Sequence, residues 1–252
     1  MSLFGSNDAV SLRHDRLLRG AAEYVDVEAL GDAYLLSMLR AAEREARRTL
    51  RCFLEPTEVL PEAAEQAERE AFEAAGVPVH IEPGYDLPGH FFGPQSWGHI
   101  VLFQRPIVAV HGVRMVYPSP YAVQWDVPMA WLRMDRKHGH LRFVPTTSMV
   151  IPLQSYLMQL TTGGREIPQM IEVRYRAGLD DIRRSHPDAL TAIQRLAALH
   201  VLRDQFLPSS GSISADGLSE SLTLDMDKHQ DAIDRTLNRI RDDIHGPRLA
   251  VM

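Results

Sequence analysis

The stretch that most constrains this chain runs from Gln169 to Phe206, where a strand pattern gives way to a helix pattern across one glycine. Ile171, Val173 and Tyr175 alternate with Glu172, Arg174 and Arg176, the period-two signature of a half-buried strand. Ala177-Gly178 interrupts that pattern. Ser185-His186-Pro187 then has the form of a helix start, with proline at the first helical position, where its missing N–H costs nothing. From Leu190 onward, Ile193, Leu196, Ala197, Val201 and Leu202 recur at helical spacing and give a wide apolar face. The segment is expected to be the structural centre: its strand closes a β region and its helix packs against an earlier one. No residue in it suggests catalysis.

That earlier helix is expected over 32–53, capped by Asp32, with Leu35, Leu39, Ala42, Ala46, Leu50 and Phe53 as the inward stripe. Pro56 closes it. Beside the stripe, Arg40, Arg44, Arg47 and Arg51 fall at steps of four, three and four, which keeps them on one face. Glu43 and Glu45 are interleaved, and Arg48 lies off the row. Three readings stay open: a salt-bridged solvated face, an intersubunit or partner-binding face, and a contact with DNA phosphate. Of 27 basic residues only Lys137 and Lys228 are lysines. That bias suits either genome composition or contacts that use the guanidinium fork. Residues 1–30 are mixed and fit a short helix or an ordered arm.

Residues 61–75 predict a second helix, opened by Pro61 and ended by Gly76, with Phe72 its one large apolar side chain. Residues 76–98 are rich in Gly, Pro, His and aromatics and predict a long extended loop. Strand patterns dominate from 99 to 176: HIVLF, IVAVHGVRMVY, YAVQWDV, AWLRMD, HLRFVP and the run around LQSYLMQL. Lys137-His138-Gly139 is a hairpin-turn candidate between two of them. No long helix pattern interrupts these runs, so an antiparallel sheet is expected rather than a doubly wound one.

Residues 208–224 predict a Ser/Gly linker, and 225–245 a last helix. There Met226, Gln230, Ile233, Leu237, Ile240 and Ile244 make a narrow, coiled-coil-like seam. Such a helix is not stable alone. It either folds back on its own domain or docks on another chain. The apolar tail with Leu249, Val251 and Met252, placed after a helix-ending Gly246-Pro247, favours docking.

Candidate chemistry is sparse. A Gly-rich phosphate loop, a nucleophile elbow, an H-E-x-x-H helix and a paired-cysteine metal motif are all missing. The best metal candidate is His138-Gly139-His140, with His99 or His111, and it implies a small metal-dependent hydrolase as one competing function. Its plain reading is an exposed hairpin with incidental histidines. Cys52 is the single cysteine, so no internal disulfide forms, and it reads as a buried structural thiol. Hydrophobic content of 45% and charged content of 24% are ordinary for a soluble globular protein. A net charge of -6 gives no support to a protein that coats nucleic acid generally. The N-terminus lacks a secretory pattern, and no apolar run approaches the roughly 20 residues that span a bilayer. A soluble protein made in the cytoplasm is expected.

The order of these pieces resembles the head–tail connector, or adaptor, proteins of long-tailed bacteriophages. Four local patterns carry the likeness over about half the chain: DAYLLSMLRAAEREARR at 32–48, IVLFQRPIVAVHGVRMVY at 100–117, IEVRYRAG at 171–178 followed by the 187–206 helix, and SADGLSES at 214–221 with DAIDRTLNRIRDDIHG at 231–246. The acidic helix 61–75, the loop 76–98 and the long sheet depart from compact members. The resemblance implies an α+β fold: a helical-bundle core carrying an antiparallel β insertion, with a linker-tethered C-terminal helix and tail. In these terms 1–75 holds the N-terminal helices, 76–98 the loop, 99–176 the insertion, 177–207 the core helix and 208–252 the linker, helix and tail.

It further implies a non-catalytic virion protein without cofactor, assembled in the host cytoplasm as a ring of twelve around a DNA channel. The ring would join the portal protein to a neck, stopper or tail protein, with transient non-specific contact to passing DNA and no membrane. Portal contact would fall to Ile233, Leu237, Ile240, Ile244, Leu249, Val251 and Met252. Arg40, Arg44, Arg47 and Arg51 would face a neighbouring subunit or the channel. A tail terminator or minor capsid component is the alternative within the same class.

Overall fold

The computed structural model describes residues 3–21, 25–88, 91, 98–116, 124–146, 163, 165–206 and 218–246, with the backbone alone at 206 and 218–225. The chain is α+β and divides into two compact units. Glu55–Asp180 form one; Ser2–Leu54 together with Asp181–Met252 form the other. This division falls inside the Gln169–Phe206 stretch, so its strand and its helix belong to different units.

The helical unit contains α1 (Ser6–Arg13), α2 (Arg16–Gly20), α3 (Asp32–Leu50), α5 (Ile182–Ser185), α6 (Pro187–Phe206) and α7 (Leu218–His245). In α3 the expected stripe is buried: Leu35, Leu39, Ala42, Ala46 and Leu50, followed by Phe53. The cap differs from expectation. Gly31 is the N-cap, and the Asp32 carboxylate instead accepts from Arg13 Nη2 at 2.6 Å. Arg51 ends the helix in the left-handed region (φ 54°), with its N–H donating to Arg47 O. α6 buries Ala189, Ala192, Ile193, Leu196, Ala197, Ala198, Leu199, Val201 and Leu202. Small residues on several sides let it lie against both α3 and α7. The N-terminal arm is ordered as α1 and α2, which bury Ala9, Leu12 and Leu18.

α7 corrects the linker boundary. Its backbone is helical from Leu218, not from 225, and Leu222 stands four residues before Met226, so the helical spacing extends further back than the Ser/Gly composition suggested. Residues 207–217 lie outside the described residues.

The β unit is built on β9 (Ile167–Ala177), the central strand of a six-stranded sheet ordered β2-β1-β9-β5-β6, rather than a closing strand. β5 (Ile107–Val116) runs antiparallel along one edge of β9. The other edge is shared by β1 (Thr57–Pro61) at Tyr175–Ala177 and β3 (Tyr85–Leu87) at Ile167–Ile171. β6 (Gln124–Asp126) pairs with β5. The period-two pattern of β9 has a direct cause. Ile171, Val173 and Tyr175 are buried beside Met115, Val113 and Val59, while Glu172, Arg174 and Arg176 point the other way and both arginines find ion partners. Arg176 pairs with Glu58, and Arg174 Nε reaches Glu68 Oε1 of α4 (Gln66–Ala74) at 3.2 Å.

Three expectations are corrected here. Pro61 is the last residue of a strand, and the second helix begins at Gln66. Residues 55–75 therefore belong with the sheet, not with the N-terminal helices. Second, the 76–98 loop contains β2 (Val79–Glu82) and β3. Third, the sheet is not wholly antiparallel: β1 and β2 are parallel, joined through α4 as a β-α-β unit. Both strands are too short, and too closely flanked by prolines, for their alternation to stand out.

A second, three-stranded sheet is ordered β4-β8-β7, from β4 (Gly98–Val101), β8 (His140–Phe143) and β7 (Leu132–Asp135). Its inner face buries Ile100, Leu141, Phe143 and Leu132. A Cβ on Gly98 would come within 2.5 Å of the Phe91 ring, so that ring lies directly on the backbone of β4. The expected hairpin turn joins β7 and β8, with Gly139 at φ +76°. The run around LQSYLMQL lies outside the described residues.

Candidate functional site

The C-terminal seam turns inward. Ile233, Leu237, Ile240 and Ile244 are 4%, 1%, 3% and 6% exposed, because α7 lies on α3 and α6 of its own unit. His245 Nε2 adds a 2.7 Å contact to Leu50 O at the end of α3. Fold-back therefore describes this helix, and these four side chains are not an exposed docking stripe. Each contributes roughly 1.5–3 kcal/mol to the helical unit by leaving water. Leu249, Val251 and Met252 lie outside the described residues.

The arginine row is laid out as the spacing requires. Arg40, Arg44, Arg47 and Arg51 are all exposed, and so is Arg48. The Arg47 guanidinium lies 4.4 Å from the centroid of the Phe53 ring, which holds it at the helix end. Glu45, one of the interleaved acids, is engaged by His200 at 3.0 Å. Among the described residues none of these five arginines has an ion-pair partner, so within them the row is not a salt-bridged face.

The hairpin histidines meet a third on the outer face of the small sheet. His99 Nε2 is 2.6 Å from His140 Nδ1, with the rings stacked at 4.9 Å. Nitrogens at this distance share one hydrogen, so one ring donates and the other accepts. Burial holds the His99 pKa below the ordinary imidazole value, and the nearby charges of His140 and Arg142 push the same way. His138 Nδ1 contacts Asp135 Oδ2 at 2.8 Å, and that hydrogen bond keeps the carboxyl below its usual range. His111 stands apart, 3.1 Å from Glu58 Oε2. Of the two histidines proposed to complete a metal set, His99 joins His140 and His111 does not. Among the described residues no group of three or more His, Cys, Asp or Glu side chains is placed to hold a metal ion.

Sequence reading missed the buried polar network of the β unit. Glu82, 3% exposed, accepts from Tyr85 Oη at 2.6 Å and from Tyr175 Oη at 3.0 Å. The two hydroxyls in turn accept the N–H groups of Phe103 and Gln104 at 3.0 and 3.1 Å. Burial pushes the Glu82 carboxyl up to about 7, against the two tyrosine hydrogen bonds, which pull it down. The same burial raises both tyrosines. The network fixes the backbone after β4 and presents Phe103, 56% exposed and stacked on Tyr85 at 4.5 Å. Its signal in the sequence was slight: one acid inside a four-residue strand, three residues before a tyrosine.

Cys52 is buried as expected, and burial raises its thiol to about 12 despite the positive charge of Arg47. Among the described residues no helix is long and apolar enough to cross a membrane.

No family model and no curated protein matches this chain. One solved structure similar to it is described as the neck of an empty GTA particle computed with C6 symmetry. That likeness has 14% identity and a TM-score of 0.41, over 85% of this chain and 86% of that one.

Proposed function

We propose that this chain is a structural neck component of a phage-like particle, a head–tail connector whose copies form a ring, twelve in number, between portal and tail. One observation carries the reading: a helical unit made from both ends of the chain, with a β unit between residues 55 and 180. That is the arrangement which the connector resemblance implies, a helical core carrying a β insertion, and its four local patterns contribute to both units. The ring lets DNA pass through its channel, and the modest charge of -6 suits a channel along which a polyanion must slide.

Portal contact falls to the tail, to Leu249, Val251 and Met252, because Ile233, Leu237, Ile240 and Ile244 are occupied in the chain's own core. A few apolar residues per copy suffice in a ring, where many weak contacts act together. Electron microscopy of the full chain, alone and with the portal encoded beside it, tests the proposal. Annular particles, with this protein coaxial on the portal, are expected. A chain that stays monomeric and never binds the portal would overturn it.

A further inference from the structure

We infer that the arginine row of α3 is a subunit–subunit surface whose partner is the acidic face of α4 on the next copy of the same chain; this rests on the ring reading above. The first half of the match is the row itself. Arg40, Arg44, Arg47 and Arg51 occupy one face over roughly 16 Å of helix, all exposed and without an ion partner among the described residues.

The second half is α4. None of its residues is fully buried. Glu68 is spent on Arg174 of the sheet, while Glu70 and Glu73, neighbours at i and i+3 on the helix surface, are exposed with no basic partner among the described residues. Glu70 accepts a hydrogen bond from Gln66 at 3.0 Å. The helix is tied down by the Glu68–Arg174 ion pair, by Arg69 on the Glu62 carbonyl and by half-buried Phe72, and its outer side is left for another surface.

Two different surfaces of one chain that complement each other make a head-to-tail contact, the kind that generates a ring when the rotation closes. Charge pairs of this sort steer and register an interface more than they hold it. Double-stranded DNA is the other polyanion that would fit the row. The second copy is favoured because the chain itself carries an exposed acidic surface of opposite sign.

Complementation by charge reversal tests this. Arg40→Glu/Arg44→Glu and Glu70→Arg/Glu73→Arg are made in the full chain, at exposed positions where the fold should be kept. Circular dichroism and the thermal midpoint check that. Oligomer mass is read by mass photometry, with the portal present if the parent needs it. Each variant alone is expected to lose the oligomer. An equimolar mixture should recover it, since arginine then meets glutamate at every contact.

Variants that assemble like the parent, or a mixture that fails while each remains folded, overturn the inference and leave the ring reading standing. Unchanged assembly with weaker retention of a short DNA duplex reassigns the row to phosphate. A parent that never oligomerises, with or without portal, defeats the ring reading and this inference together.

Discussion

Tyr175, on the central strand of the six-stranded sheet, donates its hydroxyl hydrogen to Oε2 of Glu82, on the outermost strand β2, at 3.0 Å. Tyr85 holds the other carboxyl oxygen, and the two phenols then take the Phe103 and Gln104 amides. One acid therefore organises three strands and the segment that follows β4.

The pH dependence of the β unit follows from that acid. With its carboxyl raised to about 7 in the folded chain, Glu82 is protonated there while the unfolded chain ionises near its ordinary 4.5. The stability it contributes is present below the unfolded value and is lost as pH rises through about 7. Glu82→Gln has no proton to lose. Its advantage over the parent should grow by on the order of 3 kcal/mol between about pH 4 and pH 8. Urea unfolding of both proteins across that range measures it, and parallel pH profiles would refute the assignment.

Removing one phenol has a separate cost. Tyr175→Phe leaves the Gln104 N–H and one carboxyl oxygen of Glu82 without a partner. A loss of about 1–3 kcal/mol is expected in chemical denaturation. A neutral result would mean that water replaces the hydroxyl.

Helix α7 and the tail should separate experimentally. Leu237, 1% exposed, fills the space between α7 and its neighbours, so Leu237→Ala should cost about 2–5 kcal/mol of stability. Deleting residues 247–252 should leave the thermal midpoint unchanged and weaken portal attachment. A tail deletion that attaches as well as the parent removes the tail from the portal interface.

Cys52 should be inert in the folded chain. Burial raises its thiol to about 12, so little thiolate is present at neutral pH. Labelling by an aromatic disulfide should be about 100-fold slower in buffer than in denaturant. Similar rates in both would show that the helix end opens readily.

His99 should titrate below the ordinary imidazole value of 6.5, since burial, then His140 and Arg142, disfavour its charged form. A lowered folded value means that its contribution to stability is present above the unfolded value and is lost as pH falls. Proton NMR of the parent and of His140→Ala reads the midpoint. The variant should move upward but stay below 6.5, because burial is the larger cause. A parent midpoint above 6.5 contradicts the shared-hydrogen geometry.

The amino-acid sequence alone determined what depends on local period: the α3 stripe, the alternation of β9, the exposed arginine row and the turn at Gly139. A repeat of 3.6 or 2 states which side chains share a face, and burial then agrees with it. It does not state what that face meets. The seam of α7 reads as a docking stripe or as core, with the apolar tail favouring docking, and only packing on α3 and α6 decided for core. The strand before Gly178 reads as closing a sheet, whereas pairing on both edges made it central. Glu58–Pro61 and Val79–Glu82 pair in parallel through α4, a choice between partners 20 or more residues apart that short strands cannot announce. Glu82 escaped for the same reason. Its tyrosines lie 3 and 93 residues away, and the longer of those bonds exists only once the sheet has formed.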